Sequence, residues 1–315
     1  MCRRLVLAVM TFIIFGLGAL AFGDSESELS QRMKVLTKNP EALSPENFAM
    51  LRQFHIIFVG GFTNELLRGY FAENKKALND MGIKTVSTVF PPSGKEVEAN
   101  ADALDKTLRE KYREGGRKPI ILVGHSKGGV ETLLWAIRHP DLITDGKVAS
   151  VVIMQSPVDG ATMVDEVRNT VGDRVLNLFL PYHRGFVSMS APELRAAVQE
   201  NINTLTAHGR EYISRRVFYV RSWVKTGETT IALKPTQIYL KNGHGPNDGL
   251  VLLKEQRIKD FGRDLGIVEA NHVELIARSS YYSDGDPAEI RGFTQGLFET
   301  LLEYRTCRHL LQPRR

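Results

Sequence analysis

Ser126 sits in Gly124-His-Ser-Lys-Gly128, followed by Gly129, and the flanking residues say what such a pentad can do. Upstream, Pro119 to Val123 is apolar and β-branched. Downstream, Val130 to Ile137 places its apolar residues at helical spacing. The pattern is a strand, a sharp turn and a helix, with the serine at the apex. Glycines two before and two after it permit a strained backbone and close helix-to-strand packing. A hydroxyl held there stands clear of its own backbone at the positive end of a helix, where developing negative charge is stabilised. The chemistry this permits is nucleophilic attack by the serine oxygen.

A serine hydroxyl is a poor nucleophile until a base takes its proton, and the base needs a third group to hold its tautomer. After a turn of this type the acid comes first in the chain and the histidine last. His272 follows the short apolar run Gly266 to Ala270, so a loop at a strand end can deliver its imidazole to the edge that carries Ser126. Asp248 lies 24 positions earlier, in the glycine-rich stretch Asn242 to Val251, a separation that suits one connecting helix. His244, in the same stretch, is the rival base. Asp260 and Asp264 lie nearer His272, on what reads as a solvated segment with Lys259 and Arg263. His139 ends the helix that starts at Ser126 and points away from it. His183, His208 and His309 read as structural. Attack on a carbonyl also creates an oxyanion, which needs two backbone donors. The amide of Lys127 supplies one, and the loop Gly60-Gly61-Phe62 after an earlier strand supplies the other through Phe62. The Lys127 side chain reads as a surface or rim charge.

The elements that must hold these groups follow from periodicity. Strands are expected at Phe54 to Val59, Ile83 to Phe90, Pro119 to His125, Val148 to Met154, Val217 to Val224, Thr236 to Leu240 and Ile267 to Glu269. Helices are expected at Glu65 to Leu78, at Lys95 to Tyr112, after Ser126, and from Pro287 to about Leu311. Strands apolar on both faces, alternating with helices, imply a parallel sheet covered on both sides, the α/β class. Between about 160 and 212 the alternation stops, and the stretch reads as a helical insertion, either a cap over the strand ends or an extra packing layer.

The 315 residues, 43% of them hydrophobic, suffice for one large α/β domain. The formal charge of +5 is small, and the basic residues are scattered apart from a C-terminal cluster, so no nucleic-acid partner is expected. Arg3 and Arg4 precede an apolar run from Leu5 to Ala21, the layout of a signal peptide over residues 1–23, so the protein is expected to be exported, periplasmic or secreted; an uncleaved N-terminal membrane anchor is the alternative. Residues 24–50 form a polar lead-in, and 51–315 the main domain. Of two cysteines, Cys2 lies in the signal and Cys307 in the last helix, so no disulfide framework and no zinc-ligand spacing exist.

Together, Val59-Gly-Gly-Phe62, Gly124-His-Ser-Lys-Gly-Gly129, Gln155-Ser-Pro-Val-Asp-Gly160, Asn247-Asp-Gly-Leu-Val251 and Asn271-His-Val-Glu274 resemble the α/β-hydrolases. Within them the chain is most similar to bacterial secreted triacylglycerol lipases of the Pseudomonas and Burkholderia type. That resemblance implies a mostly parallel α/β-hydrolase sheet with a helical lid at about 160–212. It also implies Ser126 as nucleophile, Asp248 as acid, His272 as base, and the amides of Phe62 and Lys127 as oxyanion donors. The chain departs from the pattern at Gly60, where a histidine is usual, and at Lys127, where a small polar residue or glutamine is usual. The calcium ligands of those lipases fall on Glu274 and Arg278, and an arginine does not bind calcium, so no metal and no cofactor are expected.

The leading expectation is an exported serine hydrolase of carboxylic esters, lipase-like or esterase-like, acting through an acyl-enzyme. Its substrate would be a small-molecule or lipid ester, met in part at a membrane or lipid surface. A polyester depolymerase, a thioesterase or an acyltransferase would use the same site. A hydrolase-fold protein that binds a lipid or a partner without catalysis is the alternative from a different class.

Overall fold

The computed structural model describes residues 26–303, apart from 63, 66, 68, 173–181 and 279–282. The expected signal, the two cysteines and most of the apolar stretch 176–182 lie outside the described residues.

Among the described residues, six strands form one sheet in the order β2-β1-β3-β4-β5-β6. They are β1 (His55–Val59), β2 (Val86–Val89), β3 (Ile120–His125), β4 (Val148–Met154), β5 (Val217–Trp223) and β6 (Arg263–Glu269). Every pairing is parallel. Alternate residues of a strand face opposite sides, and β3 shows what this does to the core. Ile120 and Leu122 join the apolar cluster on one face, while Ile121 and Val123 join that on the other. Both faces are dry, which is why β1, β3 and β4 read as unbroken apolar runs.

Helices α1 (Glu28–Lys38), α2 (Pro45–Leu51) and α3 (Ala72–Asp80) precede β2; α4 (Val97–Glu114) precedes β3; α5 (Lys127–Arg138) and α6 (Asp141–Thr144) precede β4. The buried stripe of α4 is Val97, Ala101, Leu104 and Leu108, the face its periodicity predicts. Between β4 and β5 lie α7 (Thr162–Val171), α8 (His183–Val187), α9 (Ala191–Thr204) and α10 (Ala207–Ser214), the described part of the helical insertion. The polar lead-in is not peripheral: Leu29 lies in the same apolar cluster as the last helix, α12 (Pro287–Glu303), and Met33, Leu43 and Met50 pack against it. At the far edge of the sheet, the Ser27 hydroxyl donates to the β6 carbonyl of Ile267 at 2.6 Å.

Four expectations differ from the structure. The helix predicted from Glu65 begins only at Ala72, because Gly69 and Phe71 adopt positive φ (80° and 60°) and turn the chain first. The strand predicted over Thr236 to Leu240 is part of a helix, α11 (Lys234–Gly243); Pro235 starts it, and the strand-favouring Ile238 and Tyr239 lie on its exposed side. No helix connects Asp248 to His272: a 3-10 turn (Leu253–Glu255) and β6 fill the interval. β6 itself starts at Arg263, so Asp264 is a strand residue, paired to Arg221, and not part of a solvated segment.

Candidate active site

Ser126 lies between β3 and α5 with φ 55° and ψ −131°, an outlier for a residue with a side chain. The strain is held from both sides. Its N–H is bound by Met154 at 3.0 Å, and α5 begins at the next residue. A Cβ on Gly61 would stand 2.7 Å from Ser126 Cβ, so the loop after β1 passes directly over the serine. On Gly128 it would strike the carbonyl of Gly60, which fixes how closely α5 approaches β1.

His272 Nε2 lies 2.9 Å from Ser126 Oγ, and its Nδ1 lies 2.9 Å from Asp248 Oδ2. Asp248 is fully buried, and an ionised carboxylate can only accept, so Nδ1 carries the proton and Nε2 is left to accept from the serine. The acid is itself held by several groups. Oδ1 takes the N–H groups of Leu250 (3.0 Å) and Val251 (2.8 Å), and Oδ2 takes the Ser222 hydroxyl of β5 at 3.3 Å. The His272 N–H donates to the Asp248 carbonyl at 2.8 Å, tying the two loops by their backbones as well. Asn247 shapes this loop by accepting the Gly249 N–H at 2.9 Å, an Asx turn.

The structure thus brings together Ser126, Asp248 and His272 and leaves the rivals elsewhere. His244 meets Glu166 of α7 at 3.3 Å, and His139 meets Asp102 at 3.0 Å. Lys127 is the first residue of α5, so its N–H has no acceptor within the helix. Phe62 follows Gly61 over the serine, and its ring packs against Tyr182 and Phe186 of the insertion at centroid distances of 6.0 and 5.8 Å.

The Lys127 side chain corrects the sequence reading. It is buried, not on the surface or rim, and its ammonium pairs with Glu131, one helical turn on. Asn100 of α4 donates to the same carboxylate oxygen at 2.7 Å. Burial outweighs the attraction of Lys127 and pushes the Glu131 carboxyl up to about 7.

Sequence reasoning passed over two further residues. Tyr70 Oη lies 2.9 Å from the Gly61 N and 2.6 Å from His125 Nδ1, and His125 Nε2 lies 2.8 Å from the His272 carbonyl. All three groups are buried. The position of His125 inside the pentad was the available signal, whereas Tyr70 lay within a stretch read as plain helix.

Of the positions that correspond to calcium ligands in similar lipases, Glu274 accepts the Asn271 N–H at 2.8 Å and Arg278 pairs with Glu73 at 2.6 Å. No cluster of three acidic, histidine or cysteine side chains that could hold a metal occurs among the described residues.

A parallel sheet, a strained serine between strand and helix, and an inserted set of helices define a class, and comparison with known proteins agrees. No family model matches the chain. A triacylglycerol lipase of Pseudomonas fragi is 32% identical over 102 residues, a match that covers 31% of this chain and 32% of that one. The alignment therefore spans about a third of that lipase's length. Among solved structures, the mature lipase of Bacillus licheniformis superposes with a TM-score of 0.53 at 22% identity, over 69% of this chain and 84% of that one. A metagenomic carboxyl esterase superposes with a TM-score of 0.61 at 18% identity, over 86% and 90% of the two chains. The chain has the α/β-hydrolase fold.

Proposed function

We propose that this protein hydrolyses carboxylic esters through an acyl-enzyme formed on Ser126. The observation that carries the reading is the continuous hydrogen-bonded series Ser126 Oγ, His272 Nε2, His272 Nδ1, Asp248 Oδ2, with 2.9 Å at each contact. As Oγ attacks the ester carbonyl, Nε2 takes its proton, and the buried carboxylate of Asp248 stabilises the imidazolium. The amides of Lys127 and Phe62 receive the oxyanion, aided by the N-terminal end of α5. The imidazolium then protonates the leaving alcohol, and the ester C–O bond breaks. Water, deprotonated by His272, releases the acid and restores the hydroxyl of Ser126.

Support for a substrate with an apolar acyl group comes from the insertion. Phe186 and Met189 are buried in the same apolar cluster against which Phe62 packs, so the insertion sets apolar side chains beside Phe62. The lipase and esterase named above favour ester chemistry over a binding-only role. On this reading residues 1–23 direct export, which fits an enzyme that meets its ester at a lipid surface; no helix among the described residues is long and apolar enough to cross a membrane.

Labelling with a fluorophosphonate probe, beside hydrolysis of p-nitrophenyl esters of increasing chain length, tests the proposal. Wild type should label and turn over, and Ser126→Ala should do neither. A folded wild type that neither labels nor hydrolyses any of the esters sinks it. A product transferred to an alcohol or amine in preference to water would assign the same acyl-enzyme to an acyltransferase.

A further inference from the structure

A cavity of about 470 Å³ opens on the outer side of the loop that carries Asp248, and Ser126 is not among the residues lining it. Its walls hold Arg221, Lys254, Arg257 and Lys259 against a single carboxylate, Asp159, with Pro246 and Leu253 as apolar surface. That carboxylate is already engaged by Arg195 at 2.9 Å. Arg221 and Arg257 share one counter-charge, Asp264, with Arg257 at 3.6 Å. Lys254 and Lys259 have no carboxylate within 4.0 Å among the described residues. The cavity therefore gathers more positive charge than its own acids neutralise.

Arg221 is the most rigidly held of these cations. It stands on β5 with its side chain 15% exposed, held in place by the strand and by Asp264. It lines the cavity from the rigid strand, so a charge-assisted bond from its guanidinium to an anion there needs no rearrangement of the backbone. Four cations match a multiply charged group better than a monocarboxylate, and a guanidinium fork suits tetrahedral oxyanions.

We propose that this cavity binds a phosphate group, with Arg221 and Arg257 as fixed donors and Lys254 and Lys259 as rim cations. The site is separate from the chemistry proposed for Ser126 and does not depend on it. It shares a wall with that chemistry, however. Leu253 N–H bonds the Pro246 carbonyl at 2.9 Å, closing the loop that presents Asp248 on its inner side. The phosphate can come from two sources, a soluble phosphate or the headgroup of an anionic phospholipid.

The experiment compares the full-length protein with Lys254→Glu/Lys259→Glu, two exposed changes outside the ester site. Thermal unfolding is followed against inorganic phosphate, pyrophosphate, chloride and acetate at matched ionic strength. The expected result is a rise in Tm of roughly 5 °C for wild type at a hundredfold excess of phosphate or pyrophosphate over Kd, absent with chloride and acetate. In the double variant the apparent Kd should weaken at least about tenfold, with p-nitrophenyl ester hydrolysis unchanged. A second arm measures co-sedimentation with phosphatidylglycerol-containing and pure phosphatidylcholine vesicles. Binding to the first alone, lost in the variant and competed by phosphate, identifies the headgroup; a phosphate response without vesicle binding identifies a soluble ligand. An equal response to all four anions, or one unchanged by the charge reversal, overturns the proposal.

Discussion

The phenol of Tyr70 and the imidazole of His125 are 2.6 Å apart, and their proton can lie only one way. The His272 carbonyl can only accept, so His125 Nε2 carries the hydrogen; Nδ1 of the neutral ring is then an acceptor, and Tyr70, which takes the Gly61 N–H, donates its own hydrogen there. His125 stays neutral, its pKa held well below the ordinary histidine value by burial and by the neighbouring His272. A single chain of hydrogen bonds therefore sets the loop after β1, the residue before Ser126 and the backbone of His272 relative to one another.

Tyr70→Phe removes the middle of that chain while keeping the ring. The N–H of Gly61 and Nδ1 of His125 lose their partner, which should cost about 1–3 kcal/mol of stability in denaturant unfolding. On the proposed mechanism kcat should drop about tenfold with KM little changed, because the positioning matters in the transition state. A variant equal to wild type in kcat would show that the tyrosine only fills space.

Asp248→Asn preserves an oxygen for the N–H groups of Leu250 and Val251 but no longer fixes the proton on Nδ1 of His272. Ester turnover should fall by about 10⁴ with the fold intact by circular dichroism. Retention of more than a tenth of wild-type kcat would remove Asp248 from the mechanism.

Gly61→Ala places a methyl 2.7 Å from Ser126 Cβ, 2.8 Å from the His125 carbonyl and 2.9 Å from the Tyr70 hydroxyl. The loop must lift, carrying the Phe62 amide away from the serine. Loss of about 10²-fold or more in kcat is expected, together with about 1–3 kcal/mol of stability. Steady-state kinetics beside thermal melts check both.

Glu131 gives a pH dependence of stability. Its carboxyl, ordinarily at 4.5, is raised to about 7 in the folded protein, so the folded state holds the proton more tightly than the unfolded one. The stabilising effect of that proton is complete below pH 4.5 and is lost as pH rises through about 7. Glu131→Gln mimics the protonated carboxyl at every pH, so its unfolding free energy should lose less between pH 4.5 and 7 than that of wild type. Parallel pH profiles for the two proteins would contradict this.

The chemistry was more legible than its support. The meeting of Ser126, Asp248 and His272 was legible from their order along the chain and from the strands before Ser126 and His272, although the strand expected to lead to Asp248 is a helix. The helical form of Lys234–Gly243 was hidden because a short run of Thr, Gln, Ile, Tyr and Leu favours a strand until tertiary packing decides, and here only Gln237 and Leu240 face inward. The burial of Lys127 was hidden for another reason. Its partner Glu131 is visible one turn along α5, but Asn100 reaches the pair from α4, across a contact that no local pattern records. Tyr70 escaped notice because Phe71, at positive φ, turns the backbone where periodicity suggested a continuous helix.

The bond from Ser27 to the outermost strand has a bearing on how the chain behaves with its own kind. An unprotected last strand offers a row of amides and carbonyls to which a second molecule can add its own strand, and Ser27 plugs that row at Ile267. Proteolytic trimming that removes the segment through Leu29 would uncork it. The truncated protein should then assemble into β-rich aggregates at concentrations where the intact protein stays dispersed.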